Sequence, residues 1–188
     1  MLNRFLDKYV YTNNLVFKDY NFFLADVPFV IMPVDLLVAI AGKWDFELHQ
    51  ELYDQVKKSV WKSLIPKFNL DSKASQERIL NFTEVFFTAG GWGQINQVQV
   101  DTPNTRAVIS VSRSPIALSL QHKVEDPCDH FMRGILAGIF SHAFNQEVDC
   151  VETRCVAQGN SNCEFILQKA GTLDFSKKEV REQLKASV

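Results

Sequence analysis

Three residues of types that can bind metals sit close together late in this chain: Glu152, Cys155 and Cys163. They straddle a stretch that reads as a β-hairpin, with strands over 148–156 and 163–167 joined across Gln158-Gly159-Asn160-Ser161-Asn162. Two strand-borne thiols and a carboxylate therefore converge without a long loop to close. Structural zinc sites are almost always closed and tetrahedral, so a fourth ligand is required. Cys128 opens an expected helix over 127–144, where the positive end of the helix dipole favours a thiolate, and it is the candidate. The competing reading is that all four cysteines are small buried hydrophobes. Cys150 shares strand parity with Glu152, so it either replaces that ligand or packs in the core, and packing is preferred. His130 and His142 lie on the Cys128 helix, but His142 is too far along the axis to share a metal, and both read as polar or half-buried positions.

The elements that must position these residues follow from pattern. Residues 14–30 alternate loosely and predict an N-terminal hairpin or arm. Pro33 and Asp35 open a helix through Ile40 that Gly42 stops. Leu48, Leu52, Val56, Val60 and Leu64 recur every fourth residue, which predicts a long amphipathic helix ended by Pro66. Ile79, Leu80, Phe82, Val85 and Phe86 predict a third helix that closes in the turn Gly90-Gly91-Trp92-Gly93. Residues 95–100 and 105–111 alternate and are β-branched, with turn chemistry at Asp101-Thr102-Pro103-Asn104, and predict a second hairpin. Asp126 and Pro127 suit the start of the helix to Phe144, whose Gly134 and Gly138 predict close helix-on-sheet packing. Ser176 and Glu179 have the spacing of a capping box for a short terminal helix. The expected fold is α+β: one domain over 33–170, preceded by an arm over 1–32 and followed by a helical tail over 171–188.

At 188 residues, 46% of them hydrophobic, the chain can bury one substantial core. A net charge of −2 with interleaved Lys and Glu argues against a surface that tracks phosphates, so nucleic acid is not an expected direct partner. Residues 1–10 lack the apolar run of a secretory signal, and no stretch is apolar for long enough to span a bilayer. A cytoplasmic location is expected, where thiols stay reduced and four cysteines point to metal or redox chemistry.

The run Val151-Glu152-Thr153-Arg154-Cys155-Val156-Ala157-Gln158-Gly159, continued by Cys163-Glu164-Phe165, resembles the C-terminal signature of the vinyl-4-reductase-type, or hydrocarbon-binding, domain. That signature reads E-x2-C-x-A-x-G-x3-C-x-F, and every element is present. The order of Arg106 to Ala117, with Ser114-Pro115, and of the Cys128 helix also fits the family, and the resemblance covers roughly 35–168. It implies a mixed fold of antiparallel hairpins and helices, related to haem nitric-oxide sensor domains and to a subunit of vesicle-tethering complexes, with an internal apolar pocket. In aromatic-sensing activators with such a domain, zinc is held by Cys, Glu, Cys and Cys. Carried over, those roles fall on Cys128, Glu152, Cys155 and Cys163. The arm before Pro33 has no matching motif, and no segment resembles an ATPase or a DNA-binding module, so a free-standing sensor or carrier is expected.

Candidate pocket residues are Phe82, Phe86, Phe87, Trp92, Val111, Phe131, Met132 and Ile135, each of which also reads as plain core. The leading expectation is a zinc-stabilised binding domain for a small hydrophobic or aromatic molecule, formed as a homodimer with the arm at the interface. A closed four-ligand zinc would do no chemistry of its own. A tetrapyrrole vinyl reductase, or its accessory factor, is the enzyme alternative, and the lack of a glycine-rich nucleotide loop counts against it. A protein–protein adaptor is the third reading, resting on fold analogy alone.

Overall fold

The computed structural model describes residues 15–24, 27–43, 45–68 and 76–185. At the N-terminus the expected hairpin is a three-stranded antiparallel sheet, β1 (Leu15–Lys18), β2 (Asn21–Leu24) and β3 (Val27–Phe29). Lys18 pairs with Asn21 across a two-residue turn, and both turn residues, Asp19 and Tyr20, have positive φ (48° and 64°). Such backbone angles match the right-handed twist of the strands they join.

Helix α1 (Val34–Ala41) ends at Gly42 as its sequence predicts. Helix α2 (Phe46–Ser59) begins at Asp45, whose carboxylate accepts a hydrogen bond from Leu48 N at 3.1 Å and satisfies one of the unpaired N–H groups of the first turn. The helix widens into a π turn over Val60–Leu64 and finishes with Ile65–Lys67, so Pro66 lies in the last turn. Helix α3 (Gln76–Gly90) then leads into the main sheet.

That sheet consists of β4 (Gln94–Asp101), β5 (Arg106–Ser112), β6 (Val148–Arg154) and β7 (Cys163–Lys169), in the order β4-β5-β7-β6 and antiparallel throughout. Ala107, Ile109 and Val111 of β5 and Cys163, Phe165 and Leu167 of β7 all point inward, which is the period-two alternation of their sequences. Between β5 and β6 come the short α4 (Pro115–Ser119) and the central α5 (His130–Ala143). A last turn, α6 (Lys178–Arg181), closes the chain.

Three local expectations are corrected. Helix α5 starts at His130, with Asp129 at its N-cap, so Asp126, Pro127 and Cys128 belong to the non-helical lead-in and Cys128 is not in the first helical turn. The capping box at Ser176 does not form: the N-cap of α6 is Lys177, and Ser176 N donates instead to Asp174 Oδ1. Gly134 and Gly138 pack against helix α2 and not against the sheet. A Cβ on Gly138 would stand 2.6 Å from Val60 Cβ and 2.8 Å from the Lys57 carbonyl, and one on Gly134 would stand 3.0 Å from the Tyr53 carbonyl. The two glycines form a notch that lets α2 and α5 approach backbone to side chain. Helix α5 therefore lies between α2 and the inner face of the sheet, and its buried residues Met132 to Ser141 fill the core. Antiparallel sheets and helices in one α+β unit are what the sequence predicts.

Candidate metal centre

Three segments meet at the Cys128 end of α5. In a regular strand Glu152 and Cys155, an odd number of residues apart, would point to opposite faces. Strand β6 has a register shift at this point: Glu152 pairs with Phe165 and Arg154 with Glu164, so Thr153 is an extra residue. The bulge restores parity and turns both side chains inward. Cys163 opens β7 opposite Val111, also on the inner face. The lead-in to α5 brings Cys128 and Asp129 onto the same point, with Cys128 Sγ 3.7 Å from Cys155 Sγ.

The result is a fully buried group of donors. One donor atom each of Asp129, Glu152, Cys155 and Cys163 lies within 4.8 Å of the others, and Cys128 stands against Cys155. Glu152, Cys155 and Cys163 are thus brought together, Cys128 reaches them through its contact with Cys155, and Asp129, which the sequence reading missed, stands within the group in its place. Its signal was present, an acidic residue beside a candidate ligand. Cys150, buried and outside this group, packs in the core as preferred.

The hydrogen bonds separate the five. Asp129 Oδ1 accepts from Ser114 Oγ at 2.9 Å, its Oδ2 faces Cys163 Sγ at 3.3 Å, and its main-chain N donates to Glu152 Oε2 at 3.1 Å. Both carboxylate oxygens of Asp129 therefore have partners. Glu152 Oε1 has none among the described residues and no contact with solvent. An orphaned carboxylate oxygen in the interior costs several kcal/mol, about the range of an unpaired buried polar group or more, unless a cation satisfies it.

The thiols have the same need. Hydrogen bonds from Cys128 and Cys163 draw the Cys155 pKa down to about 2, whereas that sharing and burial push Cys128 and Cys163 upward. Burial raises Glu152 well above its ordinary range and Asp129 to about 7. A thiol pushed toward its thiolate, beside two carboxyl groups that burial pushes toward their protonated forms, is how such a cluster settles its charge with protons alone. A divalent cation does this better, because thiolate and carboxylate oxygen are ordinary zinc donors and the protons can then leave. The residues present fit the metal.

The candidate pocket residues are more dispersed. Phe87, Val111, Met132 and Ile135 are buried, while Phe82, Phe86, Trp92 and Phe131 are half-buried. Phe82, Phe86 and Phe87 join Phe68 in an aromatic run whose successive ring centres are 5.1, 5.6 and 6.3 Å apart. Between α3, α5 and the end of β4 lies a cavity of about 50 Å³, lined by Ile79, Leu80, Val100, Thr102, Phe140, Ala143 and Phe144. A second, of about 260 Å³, lies outside the metal centre and touches Cys128, His49 and His130. The two histidine rings stack there, 3.8 Å apart.

Residues 107–169 match the family model of the V4R domain, a span that holds all five donors, so the resemblance seen in the motif is to that family. No curated protein matches the chain. Among solved structures, the phenol-responsive sensory domain of the transcription activator PoxR, solved with phenol, superposes with a TM-score of 0.72 at 12% identity, covering 97% of this chain and 96% of that one. This likeness establishes a shared fold over nearly the whole length. A vinyl-4-reductase family protein from Methanocaldococcus jannaschii matches more loosely, with a TM-score of 0.45 and 18% identity over 76% of this chain and 84% of that one. So does a trafficking protein particle complex subunit 3 from Naegleria fowleri covalently bound to palmitic acid, with a TM-score of 0.46 and 17% identity over 71% and 81%. Among the described residues no helix is long and apolar enough to cross a membrane.

Proposed function

With a V4R-domain segment at residues 107–169 as the premise, we propose that this chain is a sensor or carrier domain for a small hydrophobic or aromatic molecule. One zinc ion, held by Cys128, Glu152, Cys155 and Cys163, ties the lead-in of α5 to the last hairpin. The observation that carries the metal is the buried Glu152 Oε1, unpartnered beside three thiols. Cys128 is preferred to Asp129 because thiolate suits zinc and because Asp129 Oδ1 is already engaged by the Ser114 hydroxyl. Four protein ligands leave the metal a structural part, holding the inner face of β6 and β7 against α5.

Support for the ligand class comes from the phenol-responsive domain that shares this fold over nearly its whole length, and from the aromatic run Phe68, Phe82, Phe86 and Phe87. The proposed site is lined by Phe82, Phe86, Phe87, Trp92, Val111, Phe131, Met132 and Ile135. A ring-sized guest occupies a cavity of roughly 150 Å³, so binding opens this region by moving half-buried side chains such as Phe86 and Phe131. Phenol or an apolar fluorescent probe should bind stoichiometrically and raise the melting temperature until saturation, by mass action on the folded state. Phe86→Leu should weaken an aromatic ligand while preserving the fold. A series of such compounds that leaves the melting temperature unchanged would sink the binding reading.

A homodimer belongs to the same proposal. The short strands of the N-terminal sheet leave apolar side chains uncovered: Phe17 and Tyr20 are 61% and 94% exposed, and Val30 and Ile31 beside them 80% and 74%. A second copy would cover them, and light scattering gives the stoichiometry. Four free cysteines suit a reducing compartment, and we place the chain in the cytoplasm.

A further inference from the structure

Strand β6 has β7 on one side only, so its outward main-chain groups must find partners elsewhere or remain unpaired. Buried side chains take them one by one. Cys150 N donates to Tyr53 Oη at 3.0 Å, and Cys150 O accepts from Arg133 Nε at 3.0 Å. Glu152 N donates to Gln183 Oε1 at 2.8 Å, and Glu152 O accepts from Gln183 Nε2 at 2.7 Å. The Gln183 amide thus offers β6 the donor and acceptor that a neighbouring strand would offer. Its own carbonyl accepts from Arg133 Nη2 at 2.7 Å, which joins helix α5, the edge of β6 and the C-terminal segment in one buried network.

The residue clamped in this way is Glu152, the ligand whose carboxylate oxygen lacks a partner. We propose that Gln183 and Arg133 are positioning residues of the metal centre, and that through them the docking of residues 178–185 is coupled to occupancy of the site. The inference rests on the metal reading above. Fixing both main-chain groups of Glu152 fixes the base from which its side chain reaches the site, where Asp129 N already holds Oε2 at 3.1 Å. A metal that fixes the carboxylate in turn holds the edge to which the segment docks, and the two effects are equal by linkage. The segment has other anchors, since Val180 and Leu184 are buried and Lys185 N donates to Gln50 Oε1 at 3.1 Å. Loss of the Gln183 amide alone should therefore loosen the segment without unfolding the chain.

The test compares wild type and Gln183→Ala as full chains by zinc titration against a competing chelator, cobalt absorption spectra, and hydrogen exchange with and without zinc. Partners behind metal ligands are typically worth about 10- to 100-fold in affinity, and a loss of that order is expected in the variant. The cobalt bands should shift as Glu152 moves. In wild type, removing zinc should speed exchange in 178–185 more than in β4 and β5, and the variant should lose that difference. Unchanged affinity and spectrum in a zinc-binding variant would overturn the coupling and leave the metal reading intact. A wild type that binds no zinc would overturn both. If the variant does not fold, the wild-type exchange comparison decides alone, with a uniform rise across the chain counting against the proposal.

Discussion

The guanidinium of Arg133 lies 4.5 Å above the ring of Tyr53, and both side chains are wholly enclosed by protein. Among the described residues no carboxylate pairs with this cation. Its charge is met by the Tyr53 ring face, the carbonyls of Cys150 and Gln183, and His130 Nδ1 at 3.2 Å. Tyr53 Oη in turn accepts from Cys150 N and donates to Asp149 Oδ1 at 3.1 Å. Arg133→Met strands two buried carbonyls and should cost about 3–5 kcal/mol in urea unfolding. Tyr53→Phe removes only the hydroxyl and should cost about 1–3 kcal/mol.

The thiols should divide into two groups. Cys155→Ser and Cys163→Ser should each lower stability by several kcal/mol, on the order of a structural metal's contribution to folding, because the metal's binding energy is folding energy. Cys150→Ser, away from the cluster, should cost much less. Cys128→Ser should release zinc more readily than Asp129→Asn. Equal losses at all four cysteines would show packing and not coordination, and a reversed order of the last pair would move the fourth ligand to Asp129. Zinc retention after dialysis against chelator, read beside unfolding midpoints, separates these outcomes.

Acid should weaken the fold in a defined window. Burial lowers His49 from its ordinary value of 6.5 and lowers His130 well below it, and Arg133 pushes both the same way. Asp45 and the Ile40 carbonyl pull His49 partly back. Because the folded values lie below the unfolded one, the unfolded chain takes up protons first. The stability these residues contribute is complete above pH 6.5 and is lost as pH falls below it. His49→Gln removes one of the two groups, so its unfolding midpoint should change less between about pH 7 and pH 5 than that of wild type. Parallel slopes would rule out this assignment.

Much of the candidate site was legible because its candidate ligands lie close in sequence. Glu152, Cys155 and Cys163 share one hairpin, and the turn chemistry at Gly159 and Asn160 locates that hairpin without tertiary information. The bulge at Thr153 was not legible, since a register shift is a property of pairing with β7 and not of β6 alone. The start of α5 was misplaced because Asp126 followed by Pro127 and the bare Asp129 are both good start signals three residues apart. Tertiary need selects the second, as Cys128 must stay in the non-helical lead-in to reach Cys155. Arg133 looked like an ordinary helix charge, and only the fold, by bringing Tyr53, Cys150 and Gln183 around it, makes it a buried centre. The glycine notch shows the same limit: the spacing of Gly134 and Gly138 announces close packing but not that the partner is α2.

If one zinc on Cys128, Glu152, Cys155 and Cys163 closes this fold, X-ray absorption on the purified chain, with metal content measured on the same sample, will report it. About one zinc per chain in a shell of three sulfurs and one oxygen, at the distances of a closed tetrahedral site, is the predicted result. A fully folded chain without metal would contradict the claim outright, and a shell of two sulfurs and two oxygens would contradict the place given to Cys128.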